Sequence, residues 1–433
     1  MLIEFTVGNF RSFKEPVTLS MVAAKIKARD QKVNENNTIV INSKLTLLTS
    51  AAVYGANASG KSNLIRALEF MRQFVLTSAN EPQPGAPTGV EPFQLSTETD
   101  TKPSFFEVVF LLNDTQYRYG FEVNQKQIIS EWLFFVPSTK EATLFVREEK
   151  EIKPTSKFKE GKGLESKTRP NALFLSVVAQ FNGEIAQTVL KWFQRIGLVS
   201  GLDDITYRAF TINQVIEGKY KNEIIQLVKS LDLGLDEIVG IKLDKSKFAL
   251  PADMPEEIRA IVLKSVEAGD LLTVQTKHTK FDAKGQPIDS VSFDMDQKES
   301  YGTQKLFYLA GPIVDALSQG KVLIVDEMEA RLHPLMTEKL IQLFNSTKTN
   351  PKHAQLIFTT HDTNLLSNKF FRRDQIWFIE KDPKGCSHLY SLAELKVRND
   401  RSFEDDYISG RYGAIPFIGG IRTIELDSDQ ENA

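Results

Sequence analysis

The chain has 433 residues, a net charge of −3 and a pI near 6.1, with 41% hydrophobic and 25% charged residues. That is the balance of a globular protein, and the length exceeds one ordinary core, which predicts a large domain with an insertion or two domains. The charge excludes a uniformly basic nucleic-acid coat, the lone Cys386 excludes a disulfide framework or a CxxC metal hook, and no apolar run approaches the roughly 20 residues of a membrane-spanning helix. The N-terminal MLIEFTVGNF alternates like a strand and is no signal peptide, so the expected address is the cytoplasm, with no membrane involved.

Residues Leu2 to Val7 read as a strand, followed by Asn9-Phe10-Arg11-Ser12-Phe13. Residues 22–43 are polar and read as a loop. Leu45 to Tyr54 is apolar and runs into a Gly-rich loop, and Lys61 to Leu76 has helical spacing through Leu64, Ile65, Leu68, Met71 and Val75. Residues 79–103 are rich in Pro and Gly and predict a loop. Phe105–Leu112, Tyr117–Val123 and Ile128–Val136 predict an antiparallel meander. Residues 149–170 read as a basic loop. Helical patterns dominate from Glu184 to about Asp270, at Ile185–Phe193, Lys221–Leu231 and Glu256–Val266. Leu271–Thr279 and Ser290–Asp294 read as strands. Helix and strand then alternate: Lys305–Leu317, Val322–Val325, Pro334–Phe344, Gln355–Thr359 and Gln375–Glu380, the rhythm of a parallel or mixed α/β sheet.

Four segments carry chemistry. Gly55-Ala56-Asn57-Ala58-Ser59-Gly60-Lys61-Ser62 matches G-x-x-x-x-G-K-[ST] between a strand and a helix. Its glycines let backbone N–H groups wrap phosphates, and the helix start aims its positive dipole end at them. Lys61 then reaches the β and γ phosphates of ATP, and the Ser62 hydroxyl holds Mg²⁺. Val322-Leu323-Ile324-Val325-Asp326-Glu327 is a buried strand ending in two acids: Asp326 suits the metal and Glu327 the attacking water. Gln355–Asp362 is another apolar strand, ending in His361, which suits γ-phosphate sensing if the two strands are neighbours and plain capping otherwise. Glu299-Ser300-Tyr301-Gly302-Thr303-Gln304 precedes a helix, and Ser300 with Gly302 reads either as an anion-binding nest or as an ordinary N-cap.

The wide separation of the phosphate loop from the Asp-Glu strand, the Ser-x-Gly turn before that strand and the His after it resemble ABC-type ATPases of the SMC and RecF kind. The resemblance is closer to the OLD-like AAA ATPases related to abortive-infection and other antiphage defence proteins. It is carried by Asn9–Phe13, Gly55–Asn63, Glu299–Thr303, Asp326-Glu327 with Leu332-His333-Pro334, Thr359–Asp362 and Tyr407–Gly419. It implies an α/β ABC/SMC-type P-loop NTPase head with a mixed sheet and an inserted antiparallel-plus-helical subdomain. The expected division is an N-terminal lobe over 1–140, the insertion over 141–290 and a C-terminal lobe over 291–433.

The resemblance further implies nucleotide contact for Gly55, Asn57, Ser59, Gly60, Lys61, Ser62 and Asn63, with Arg11 beside the nucleotide. Ser300 and Gly302 contact the nucleotide of a second copy. Asp326 and Ser62 hold the metal, and Glu327, Lys61 and His361 serve catalysis. ATP thus glues a head-to-head homodimer, and higher assemblies build on it. The turn reads ESYGTQ where transport-type proteins have LSGGQ, and Met328–Pro334 departs from their Leu-Asp pair, which leaves His333 equally a contact or a packing residue. Gln94 is a candidate for the glutamine-loop residue and equally a surface glutamine. The basic run Lys153–Arg169 and the acids Glu404-Asp405-Asp406 read as solvated loops. The stretch after His361 is too short for the TOPRIM-type nuclease of some relatives. The expected function is therefore a slow ATPase that acts as a sensor or scaffold in antiphage defence and controls a separate effector such as a nuclease. The alternative is a RecF-like repair ATPase acting directly on DNA, with nucleic acid as the partner.

Overall fold

The computed structural model describes residues 1–81, 83–203, 205–216, 218–231, 234–242, 272–398 and 401–416. The helix expected at Glu256–Val266 and the last three residues of the Tyr407–Gly419 motif lie outside them. Two large sheets organise the rest. One is antiparallel, in the order Glu151–Pro154, Ala142–Glu148, Ile128–Val136, Thr115–Val123, Ser104–Leu112, Leu2–Gly8, Val17–Ser20. The other runs Ile196–Ser200, Val322–Asp326, Gln355–Thr359, Ser50–Tyr54, Ile376–Lys381, Ser387–Ser391, parallel throughout except for its last strand. The chain is therefore α/β with a mixed core sheet.

The apolar runs of the core sheet follow from burial on both faces. Ser50–Tyr54 and Gln355–Thr359 are buried at every position. Alternation sorts their side chains. Ala51, Val53, Ile324 and Ile357 join one core with the helix Lys61–Thr77 and the antiparallel sheet. Ala52, Tyr54, Val325 and Phe358 face a second core made with the helices Tyr301–Gln319 and Pro334–Phe344. The first core is aromatic-rich. Phe10, Phe70, Phe74, Phe106 and Phe121 contact one another with ring centroids 5.0–5.7 Å apart. Burial of each such ring contributes on the order of 2 kcal/mol. The buried amide of Gln355 ties the sheets together: it accepts from the Leu2 N–H at 2.6 Å and donates to the Leu2 and Leu48 carbonyls.

The expected break at residue 140 is absent. Ala142–Glu148 and Glu151–Pro154 extend the antiparallel sheet, because Phe145 and Leu144 supply apolar partners for it. Ile196–Ser200, inside the span expected to be inserted, is a core-sheet strand paired in parallel with Val322–Asp326. What lies outside the two large sheets is narrower: the helices Ile205–Ile216 and Lys221–Ser230 with a three-stranded sheet of Glu237–Lys242, Leu272–Phe281 and Pro287–Asp294, whose Tyr207, Ile212, Val228, Ile238 and Val274 join the second core. The segment 149–170 is also more ordered than a solvated loop, since Phe158 and Leu164 are buried and Arg169 donates to the Ser78 and Ala79 carbonyls. Residues 22–43 contain a short helix, Gln31–Asn36, capped by Asp30, and the strand Thr38–Val40.

Candidate active site

Four parallel strands end at one edge of the core sheet. Their order brings the loops after Ser200, Asp326, Thr359 and Tyr54 side by side, the place where open α/β sheets bind ligands. The phosphate loop follows Tyr54. Its glycines are required by close approach. A Cβ on Gly55 would lie 2.6 Å from Ser59 Oγ, and one on Gly60, whose φ is +118°, would lie 2.8 Å from Ser12 Oγ. Lys61 is buried, and its ammonium donates to the carbonyls of Gly55 at 2.9 Å and Ala56 at 3.0 Å. Burial lowers its pKa, and Glu327, Asp326 and Glu329 oppose that shift. Asn57 is exposed at the crest of the loop, and the buried Ser59 hydroxyl has no hydrogen-bond partner. The loop is thus a backbone cradle with a buried cation, which fits a polyphosphate.

Val322–Asp326 presents the two acids. Thr359 Oγ on the neighbouring strand donates to Asp326 Oδ1 at 2.5 Å and accepts from the Glu327 N–H at 2.7 Å. Glu327 adopts φ +52°, a strained conformation for a non-glycine residue, held by that bond. Burial raises its carboxyl pKa, as do Asp326 and Glu329, while Lys61 and Lys305 pull it down. His361 follows the next strand, as the neighbouring-strand reading requires. Its backbone N–H donates to Glu329 Oε1 at 2.6 Å. Burial and then Lys61 lower its pKa, so the ring favours the neutral form. Lys61, Asp326, Glu327 and His361 therefore share one locus.

The other expected residues are placed as follows. Asn63 donates to Ser12 Oγ at 2.8 Å, and Ser387 Oγ bridges Ser12 Oγ and the Ser59 carbonyl, so the Asn9–Phe13 turn braces the base of the loop. Asn9 fastens that turn to residues 93–103 by its side-chain amide. Arg11 pairs with Glu91 at 2.7 Å. Ser300 caps the helix Tyr301–Gln319 by accepting the Thr303 N–H at 3.1 Å, and Gly302 faces the Arg331 carbonyl. Tyr301 is 70% exposed, its ring beneath the Arg331 guanidinium. His333 is exposed and caps Pro334–Phe344 through Nδ1. Gln94 is exposed on the 91–99 loop, while the strand end beside Asp326 carries Ser200 and Gly201. Asp406 is a correction: it is buried and binds Arg401 and Arg411, so the Glu404–Asp406 run is no solvated turn. Among the described residues no group of three or more His, Cys, Asp or Glu side chains is placed to hold a metal ion, and no helix is long and apolar enough to cross a membrane.

Sequence reasoning missed Thr359, Glu329, Gly201 and Lys305. The first two stand inside quoted motifs, at the strand end and two residues past Glu327, and period-two alternation puts Thr359 on the face of Ile357 and Asp326 on that of Ile324, the same face of the sheet. Nothing local marks the other two.

The chain is similar in fold to several solved structures, each at low identity. The SMC head domain from Thermotoga maritima is 12% identical with a TM-score of 0.40, covering 92% of this chain and 99% of that one. An SMC head bound to the C-terminal winged-helix domain of ScpA is 13% identical with a TM-score of 0.43, covering 90% and 97%. CbiO1 from Clostridium perfringens, part of the ABC transporter complex CbiONQ, is 12% identical with a TM-score of 0.29, covering 91% and 90%. No curated protein matches the sequence. A family model described as "AAA domain, putative AbiEii toxin, Type IV TA system" matches residues 50–367, from the strand before the phosphate loop to just past His361. With more than half of its length matched, the chain belongs to that AAA family.

Proposed function

We propose that this chain is a Mg²⁺-dependent ATPase of slow turnover that works as a dimeric switch in antiphage, abortive-infection-type defence and governs a separate effector such as a nuclease. The observation that carries the ATPase reading is the meeting of Lys61, Asp326, Glu327 and His361 at the carboxyl ends of adjacent parallel strands. The family's description, which names the AbiEii toxin, supports the defence setting. The cytoplasm is the compartment that setting requires.

Mg²⁺, when bound, would draw charge from the β and γ phosphate oxygens. Ser62 and Asp326 would hold it, with Asp326 oriented by Thr359. Lys61 would exchange its loop carbonyls for phosphate oxygens, a trade that restores a full charge partner to a buried ammonium. Glu327, its carboxyl raised by burial, is suited to take the proton of the attacking water. Neutral His361 would donate to a γ-phosphate oxygen. Ser300 and Gly302 would complete the partner copy's site, with exposed Tyr301 at the contact.

Glu327→Gln should trap ATP by removing the proton acceptor. Native mass spectrometry of that variant, expressed with its genomic neighbours, should show two chains holding two ATP only with Mg-ATP present, and added mass identifies the effector. A monomer with one ATP or none, and no companion, refutes the switch. Duplex DNA that stimulates the wild-type ATPase with steep salt dependence would instead favour the RecF-like alternative.

A further inference from the structure

Lys305 is 2% exposed, and a buried lysine is rare unless its ammonium is well partnered. It lies in the first turns of the helix Tyr301–Gln319, five residues past Ser300 and so ~7.5 Å along the axis. Its Nζ donates to the Gly201 carbonyl at 2.6 Å. The Gly201 N–H donates in turn to the Asp326 carbonyl at 2.6 Å, the peptide group that leads into Glu327. Packing there is tight enough that a Cβ on Gly201 would lie 2.5 Å from the Asp326 carbonyl oxygen and closer still to that of Glu327. The Tyr207 ring, on the helix Ile205–Ile216, lies 5.6 Å from the same ammonium. A cation on the Ser300 helix is thus joined through one glycine to the backbone of the acid proposed to activate water. From the other flank Glu327 is held by Thr359.

We propose that Lys305 is a positioning residue that fixes Glu327 and couples the Ser300 helix of each chain to its own hydrolytic acid. The proposal rests on the ATPase reading above. Ser300 and Lys305 ride on one continuous helix. A second copy that shifts the helix by docking on its Ser300 end would pull, through this link, on the Gly201 carbonyl and the Asp326–Glu327 peptide. Lys305 would touch neither nucleotide nor metal; it acts on Glu327 through that backbone and through the positive charge it places near the carboxyl.

The test uses the full chain with Lys305→Met, which keeps the length and apolar stem but loses the donor, and Lys305→Arg, which keeps charge and donor. Lys305→Met should bind Mg-ATP within about threefold of wild type while kcat falls about tenfold or more with little change in KM, and Lys305→Arg should recover part of kcat. Amide exchange in nucleotide-free protein gives a second readout that needs no turnover. Exchange over residues 198–203 should rise about tenfold in Lys305→Met relative to wild type, with the strand Gln355–Thr359 unchanged. Unaltered exchange there, or unaltered kcat, overturns the proposal. So does a parallel loss of ATP binding, melting temperature and kcat, which marks a merely structural lysine. If wild type itself hydrolyses no ATP, the ATPase reading fails, and the exchange result alone decides whether the Lys305 link exists.

Discussion

Gly201→Ala tests how tightly Glu327, the acid proposed to activate water, is held. The added methyl would meet the backbone carbonyls of Asp326 and Glu327, the first at 2.5 Å. Ordinary contact begins at 3.4 Å, so the segment after Ile196–Ser200 and the end of Val322–Asp326 must part by about 1 Å or more. Backbone lines the clash, so no side-chain rotation relieves it. Overpacking of this kind costs about 1–3 kcal/mol of stability. The larger effect falls on turnover, because a displacement of about 1 Å in a reacting group costs on the order of 100-fold in rate. The phosphate loop follows Ser50–Tyr54, three strands from Ile196–Ser200 in the sheet, so ATP affinity should change by less than about threefold. Gly197→Ala is the control on the same strand. Its Cβ would lie 3.0 Å from a movable Leu323 methyl, with the next atom at 3.8 Å, so kcat should fall by no more than about threefold. Steady-state phosphate release and equilibrium ATP binding measure both variants. A Gly201→Ala enzyme with kcat within threefold of wild type would refute the claim that this backbone is fixed.

Three further outcomes follow from named groups. Thr359→Val removes the donor to Asp326 and the acceptor of the Glu327 N–H, so denaturant unfolding should show a loss of about 1–3 kcal/mol, and an unchanged midpoint would count against it. Glu131 is fully buried. It accepts from the Phe174 and Leu175 N–H groups and from Tyr119, 3.9 Å from the Arg147 guanidinium. Glu131→Ala strands these partners and should cost about 3–5 kcal/mol in the same assay, with ATP affinity of the folded protein unchanged. His361 has a pKa lowered in the fold, so between that pKa and about 6.5 the unfolded chain binds more protons and stability rises with pH. Wild type should therefore lose more unfolding free energy than His361→Gln on going from pH 7 to pH 5, and equal losses in the two proteins would show that the ring is not held neutral.

The phosphate loop was legible because all its chemistry is local: eight consecutive residues, a strand before and a helix after. The Asp-Glu strand and His361 were legible as a set, since each alone is a common apolar strand with a polar end. The third carboxylate, Glu329, was not legible, because its role depends on the His361 N–H arriving from a neighbouring strand. Ile196–Ser200 was hidden by its length, five residues directly after the helix Glu184–Gln194, in a stretch dominated by helical spacing. Missing that strand left a core-sheet element inside the span expected to be inserted. Asp406 was misread for a related reason. An acidic run looks solvated until Arg401 and Arg411 close around it.

Locating that strand changes what the inserted region is attached to. Its first helix starts a few residues past Gly201, whose backbone touches Asp326 and Glu327. Its last strand returns just before Ser300, and there Glu299 accepts from Thr276 Oγ at 2.5 Å and pairs with His278 at 2.6 Å. Thr211 on the first helix also donates to the Tyr308 carbonyl of the Ser300 helix at 2.5 Å. Both covalent ends of the region, and one contact between them, therefore land on elements that hold Glu327. On the proposed ATPase reading, a partner bound to this region would therefore bear on Glu327 from the region's entry and its exit alike, which a loop elsewhere on the sheet would not.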